Sequence, residues 1–140
     1  MAHTKRIPRR ERSSDPTAIA RARAFLEEYQ RATDILSLLE NERSAHADIP
    51  GARFSASLAQ RAEQRAFWEA RAKDICHVID GLPAYREKMM LHYHYLLGYT
   101  VEAVAEVMDT SRSGAFRMKK RALELVAAAL ERREQLFAAG

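Results

Sequence analysis

The chain has 140 residues, the length of one domain or of one domain with an appendage. Hydrophobic residues make up 47% and charged residues 30%, with 5 Gly and 4 Pro, a balance that suits helices joined by short turns. No strand-like alternation is present, the single cysteine (Cys76) allows no disulfide framework, and the apolar runs fall far short of the ~20 residues of a membrane span.

The net charge of +4 resides in the first 12 residues, where Lys5, Arg6, Arg9, Arg10 and Arg12 stand against Glu11; the rest of the chain is neutral. A basic tail favours polyanions such as nucleic acid, and a solubilising arm is the alternative. No apolar run follows the basic N-terminus, so no signal peptide is expected and the expected location is cytoplasmic.

Residues 1–15, with Pro8 and a Ser-Ser pair, read as a disordered basic arm. Asp15-Pro16 suits a helix start, because Asp caps and Pro fits the first turn. From Pro16 to about His46, Ala22, Phe25, Tyr29, Ala32, Leu36 and Leu39 recur at spacings of 3 and 4, a heptad seam. Ile49-Pro50-Gly51 breaks the helix. A second helix is predicted from about Ser57 to Asp80, with Leu58, Ala62, Trp68, Ala72, Ile75, Ile79 and Leu82 as its stripe and Trp68 as core anchor. Residues 16–80 therefore read as a long helical hairpin; a coiled-coil dimer uses the same seam, and the sequence does not separate the two.

Gly81-Leu82-Pro83 ends that helix and starts a third, which runs to Leu97 with Met90, Tyr93 and Leu97 inward and Gly98 as a left-handed cap. Thr100 caps a short fourth helix ending near Met108, and Ser111 caps a fifth running past Glu134. Residues 81–137 form the second unit. The predicted fold class is all-α, a long N-terminal helical hairpin or coiled coil followed by a C-terminal helix-turn-helix domain.

Two short helices separated by a tight turn, the second with a basic face, is the helix-turn-helix arrangement. Val101, Val104, Ala105 and Met108 give the fourth helix its buried side, and Ala115, Met118, Ala122 and Leu125 do so for the fifth. Asp109 is acceptable at a turn position needing positive φ. At about 100° per residue, Ser113, Arg117 and Lys120 lie opposite the buried stripe, flanked by Arg112, Phe116 and Arg121. Between Ser111 and Leu123 there are five basic residues and no acidic one, while Glu102, Glu106 and Asp109 precede them. That segregation is the footprint expected of a helix in a major groove. A solvated basic face is the plainer alternative.

The stretch from Leu82 to Val126 resembles the fourth region of bacterial sigma factors, and more closely the phage and prophage transcriptional regulators of the ArpU and RinA type. The residues that carry the resemblance are Leu91, Tyr93, His94, Tyr95, Leu96 and Gly98; then Thr100, Glu102, Val104, Ala105, Glu106 and Met108; then Ser111, Ala115, Phe116, Arg117, Met118, Lys120, Arg121, Ala122 and Leu123. His94 replaces an arginine of the pattern, Ala103 an acidic residue and Thr110 an apolar one. Gly114 inside the fifth helix costs about 1 kcal/mol relative to Ala; it allows close approach to a sugar-phosphate backbone, or marks a weakened site.

The resemblance implies a sequence-specific DNA-binding regulator reading the major groove with the helix that starts at Ser111. Thr100, Arg112, Ser113, Gly114, Phe116, Arg117, Lys119, Lys120 and Arg121 are the expected contacts. Ser113, Arg117 and Lys120 would lie nearest the bases, with Arg112, Lys119 and Arg121 mainly on phosphate. Double-stranded DNA is the expected partner. RNA polymerase, by family analogy, and a homodimer through the N-terminal helices are further ones. Two alternatives stand: a small-terminase-like DNA-packaging protein, and a module that binds RNA polymerase or a sigma factor without touching DNA. Neither a nucleophile–base arrangement nor a phosphate-cradling loop is visible, so no catalysis and no cofactor are expected. Cys76, His77, His92 and His94 lack the spacing of a metal site.

Overall fold

Asp15 and Pro16 start the first helix as their chemistry predicts: the Asp15 carboxylate accepts from the Thr17 N–H at 3.2 Å. The computed structural model describes residues 13–46 and 54–139; the basic arm over 1–12 and the break at Ile49-Pro50-Gly51 lie outside them. Helix α1 spans Pro16–His46 and α2 spans Phe54–Asp80. They are followed by α3 (Tyr85–Leu91), a π-helical turn (His92–Leu96), α4 (Val101–Val107) and α5 (Arg112–Ala139). The fold is all-α, with no strand among the described residues. None of their helices is long and apolar enough to cross a membrane.

α1 and α2 pack on each other within the chain, and their ion pairs give the direction. Glu28 meets Arg71 and Glu42 meets Arg61, so an advance along α1 is a retreat along α2 and the pair is antiparallel. Along the seam Ala22, Leu26, Ala32 and Leu39 are buried, with Phe25, Tyr29 and Leu36 half-buried. The α2 stripe is buried only at its C-terminal end, at Ile75, Ile79 and Leu82. Leu58 is 50% exposed and Ala62 is exposed as well. Trp68 is half-buried and meets Phe67 edge to face at 5.0 Å.

Met90 of α3 is buried as expected, and the π turn that follows changes which residues beyond it face inward. Leu97 N–H donates to His92 O at 2.9 Å, a span of five residues that fits one extra residue into the turn. Tyr95 is thereby buried at 6% exposure, whereas Leu97, expected inward, is 62% exposed. α1 closes the end of this turn, because Gln30 Nε2 donates to Tyr95 O at 3.0 Å and to Leu96 O at 3.2 Å. Gly98 (φ 77°) then reverses the chain in the left-handed region that glycine enters without strain.

Two apolar cores meet along α5. Met90, Val101, Val104, Ala105, Ala115 and Met118 bring together α3, α4 and the first turns of α5. The larger core joins Ala22 and Leu26 of α1, Ile75 and Ile79 of α2, and the α5 stretch Ala122–Ala127. The turn at residues 81–84 falls where the sequence places a boundary between two units, yet the larger core crosses it.

Candidate nucleic-acid interface

The geometry of the α4–α5 pair follows from its capping residues. The Thr100 hydroxyl accepts from the Ala103 N–H at 3.1 Å and opens α4. At the other end Asp109 takes φ 53°. Thr110 N–H donates to Ala105 O at 2.9 Å and Asp109 N–H to Glu106 O at 3.2 Å. That is a Schellman closure with Asp where Gly is usual. Ser111 Oγ accepts from the Gly114 N–H at 3.0 Å and opens α5 two residues after the reversal. Val101, Val104 and Ala105 of α4 and Ala115 and Met118 of α5 are buried together, with Met108 partly so, whereas Ala122 and Leu125, expected on the same side of α5, pack in the larger core with α1 and α2.

Gly114 has a local reason. A Cβ there would stand 2.6 Å from Thr110 Oγ1 and 3.1 Å from Ser111 Oγ, the oxygen that caps the helix. The glycine leaves room for the turn's own hydroxyls.

The basic residues of α5 divide by their surroundings. Arg117 and Lys120 are exposed beside exposed Ser113, and Phe116 is 45% exposed. Arg112 reaches back to Glu102 of α4 at 3.2 Å and lies over the Phe116 ring at 5.7 Å. Arg121 Nε donates to Glu87 of α3 at 3.1 Å. Lys119 turns toward α1 and the π turn, with its ammonium 5.8 Å from the centre of the Tyr95 ring. Burial lowers its pKa from the ordinary lysine value, the charge of Arg23 lowers it further, and Glu27 opposes both. Arg117, Lys119 and Lys120 meet no carboxylate among the described residues.

Beyond the outward arc, toward its C-terminal end, α5 meets Ser13. Ser13 N–H donates to Glu124 O at 3.0 Å, and its hydroxyl donates to Glu131 at 3.2 Å. Ser13, read from the sequence as part of the arm, is thus joined to α5 at Glu124 and Glu131. On the α1 side a cleft is lined by Ile19, Arg23, Phe116, Lys119, Lys120 and Leu123.

Sequence reasoning missed Arg23 and Glu87, which reach α5 only through packing; no local signal marks either. His92 Nε2 is 3.1 Å from Asp80, and His94 Nδ1 donates to Tyr99 O at 2.7 Å. Compared with known proteins, the chain matches no family model, no curated protein and no solved structure.

Proposed function

We propose that the chain is a sequence-specific DNA-binding transcriptional regulator of the phage or prophage type, acting in the cytoplasm and reading the major groove with α5. The observation that carries this reading is the division of α5. One side is packed into the core against α4, while the other presents Ser113, Phe116, Arg117 and Lys120 to solvent with the lysine and arginine free of carboxylate partners among the described residues. A helix in a groove needs that division: cations held by ion pairs must give them up to meet phosphate or base, and free ones do not. In this reading Arg117 and Lys120 meet base edges, while Arg112 and Arg121 act first as braces to α4 and α3.

The test is selection of bound duplexes from a random pool, followed by affinity measurements at two salt concentrations. An enriched sequence is expected, bound more weakly at high salt, and bound also by a chain lacking residues 1–12, which keeps the Ser13 anchor. Arg117→Ala is expected to weaken the selected site by about 1–3 kcal/mol and to relax preference at one base position. An unenriched pool, with binding lost along with the arm, would pass the lead to a protein-binding module that does not read DNA.

A further inference from the structure

The cations of the described residues divide by what they touch. Arg21, Arg61, Arg71, Arg112, Arg121 and Arg133 each meet a carboxylate, while Arg31, Arg65, Lys73, Arg86, Lys88, Arg117 and Arg132 are among those that meet none and stand apart from one another on the helix surfaces. Arg23 of α1 and Lys119 and Lys120 of α5 meet none among the described residues, and all three line one cleft. No carboxylate lines it. Glu27, one turn beyond Arg23, acts on Lys119 from a distance without pairing with it.

We propose that this cleft is a subsite for a backbone phosphate of the DNA that α5 reads, with Arg23 as a contact contributed by α1 from outside the helix-turn-helix. The inference rests on the DNA-binding reading above. Three cations without carboxylate partners, from two elements, converge on one concavity, so an anion seated there meets all of them at once. Lys119 feels that crowding, since Arg23's charge adds to burial in holding its pKa down. Lys120 belongs both to the exposed arc of α5 and to the cleft wall, so one ligand spans the two. Phosphates border the base edges that a groove-bound helix reads, which puts an anion where the cleft opens. Ile19, Phe116 and Leu123 give the cleft an apolar lining suited to the C–H face of deoxyribose. An acidic peptide matches the charge equally well, but it gives no reason for the cleft to be continuous with the α5 arc.

The experiment uses the full chain, the duplex enriched by selection and a scrambled duplex of equal length, with affinity measured across a salt series. Arg23→Gln is expected to weaken binding to both duplexes by the same factor and to reduce the slope of log affinity against log salt by about 0.9, the value for one phosphate. Base preference should stay unchanged, in contrast to Arg117→Ala. Arg23→Lys keeps the charge and should keep the slope. Arg23's charge also acts on the buried Tyr95 hydroxyl, so Tyr95→Phe separates local support from phosphate contact and should leave the slope intact. Lys119→Gln serves as the second variant, with the same expected loss, if Arg23→Gln unfolds the chain. A wild-type chain that binds DNA while both Gln variants keep its slope overturns the subsite alone. So does a cleft whose Gln variants lose an acidic peptide but no DNA affinity. A wild-type chain with no salt-sensitive DNA binding overturns the DNA reading and the subsite with it.

Discussion

Replacing Arg121 with alanine would leave Glu87, only 7% exposed, without its partner at 3.1 Å. Breaking a fully buried ion pair costs about 3–5 kcal/mol, because the remaining charge stays desolvated. The Arg121 side chain is 44% exposed, so water screens the pair, and a cost of about 1–2 kcal/mol is the appropriate scale. Thermal denaturation of Arg121→Ala should show that loss, whereas Arg117→Ala, on an exposed side chain, should melt with the parent. Equal melting of the two variants would remove the bracing role of Arg121. Any DNA-binding defect in Arg121→Ala then has to be separated from a loosened α3–α5 contact. The sequence shows where each basic residue points on α5, because helical periodicity fixes the angle. It does not show what stands at that angle: Glu87 is 34 residues away, and Arg23 reaches Lys119 only across the α1–α5 contact.

Helix starts and stops were legible where a side chain acts on its own backbone. Asp15, Thr100, Ser111, Gly98 and Asp109 do what their local chemistry predicts. The π turn was not legible, because a regular helix over His92–Leu96 suits the same residues and the extra residue is set by packing of Tyr95 and by Gln30 at the end of the turn. That element also places His94 against Tyr99 O and gives it a pH signature. Burial is the main cause lowering its pKa from the ordinary 6.5; the bond to Tyr99 O opposes this, Lys119 adds to it and Glu102 opposes. The folded state thus favours neutral His94, and as pH falls the unfolded chain takes up the proton first. The stabilisation is complete above the unfolded value and is lost as pH falls through it toward the lower folded value. The melting temperature should therefore fall between about pH 7.5 and pH 5.5, above the range where carboxylates titrate. His94→Gln keeps a donor for Tyr99 O but has no such titration, so its melting temperature should change less over that interval. An identical pH dependence in the two proteins would discard His94 as the source.

At the scale of the molecule, α5 belongs to both cores: its first turns pack with α3 and α4, and Ala122–Ala127 pack with α1 and α2. The residues that divide 16–80 from 81–137 in the sequence are a real turn, but a turn reports where a helix stops and not which helices later share a core. Two independent units would melt independently, and a shared helix couples them. Ile75 of α2 is fully buried in the larger core, and truncating such a side chain to alanine costs about 2–5 kcal/mol. Ile75→Ala should therefore lower one transition that includes the helices carrying the proposed DNA-binding face, although Ile75 belongs to none of them. Trp68 fluorescence reports α2, and amide hydrogen exchange along α4 and the first turns of α5 reports the far core. Both should lose stability by the same amount in the variant. If fluorescence shifts while exchange in α4 and early α5 stays at the parent level, the hairpin unfolds alone. Arg23 would then be carried on a separable element, and its place beside Lys119 would not be enforced by the core that orients α5.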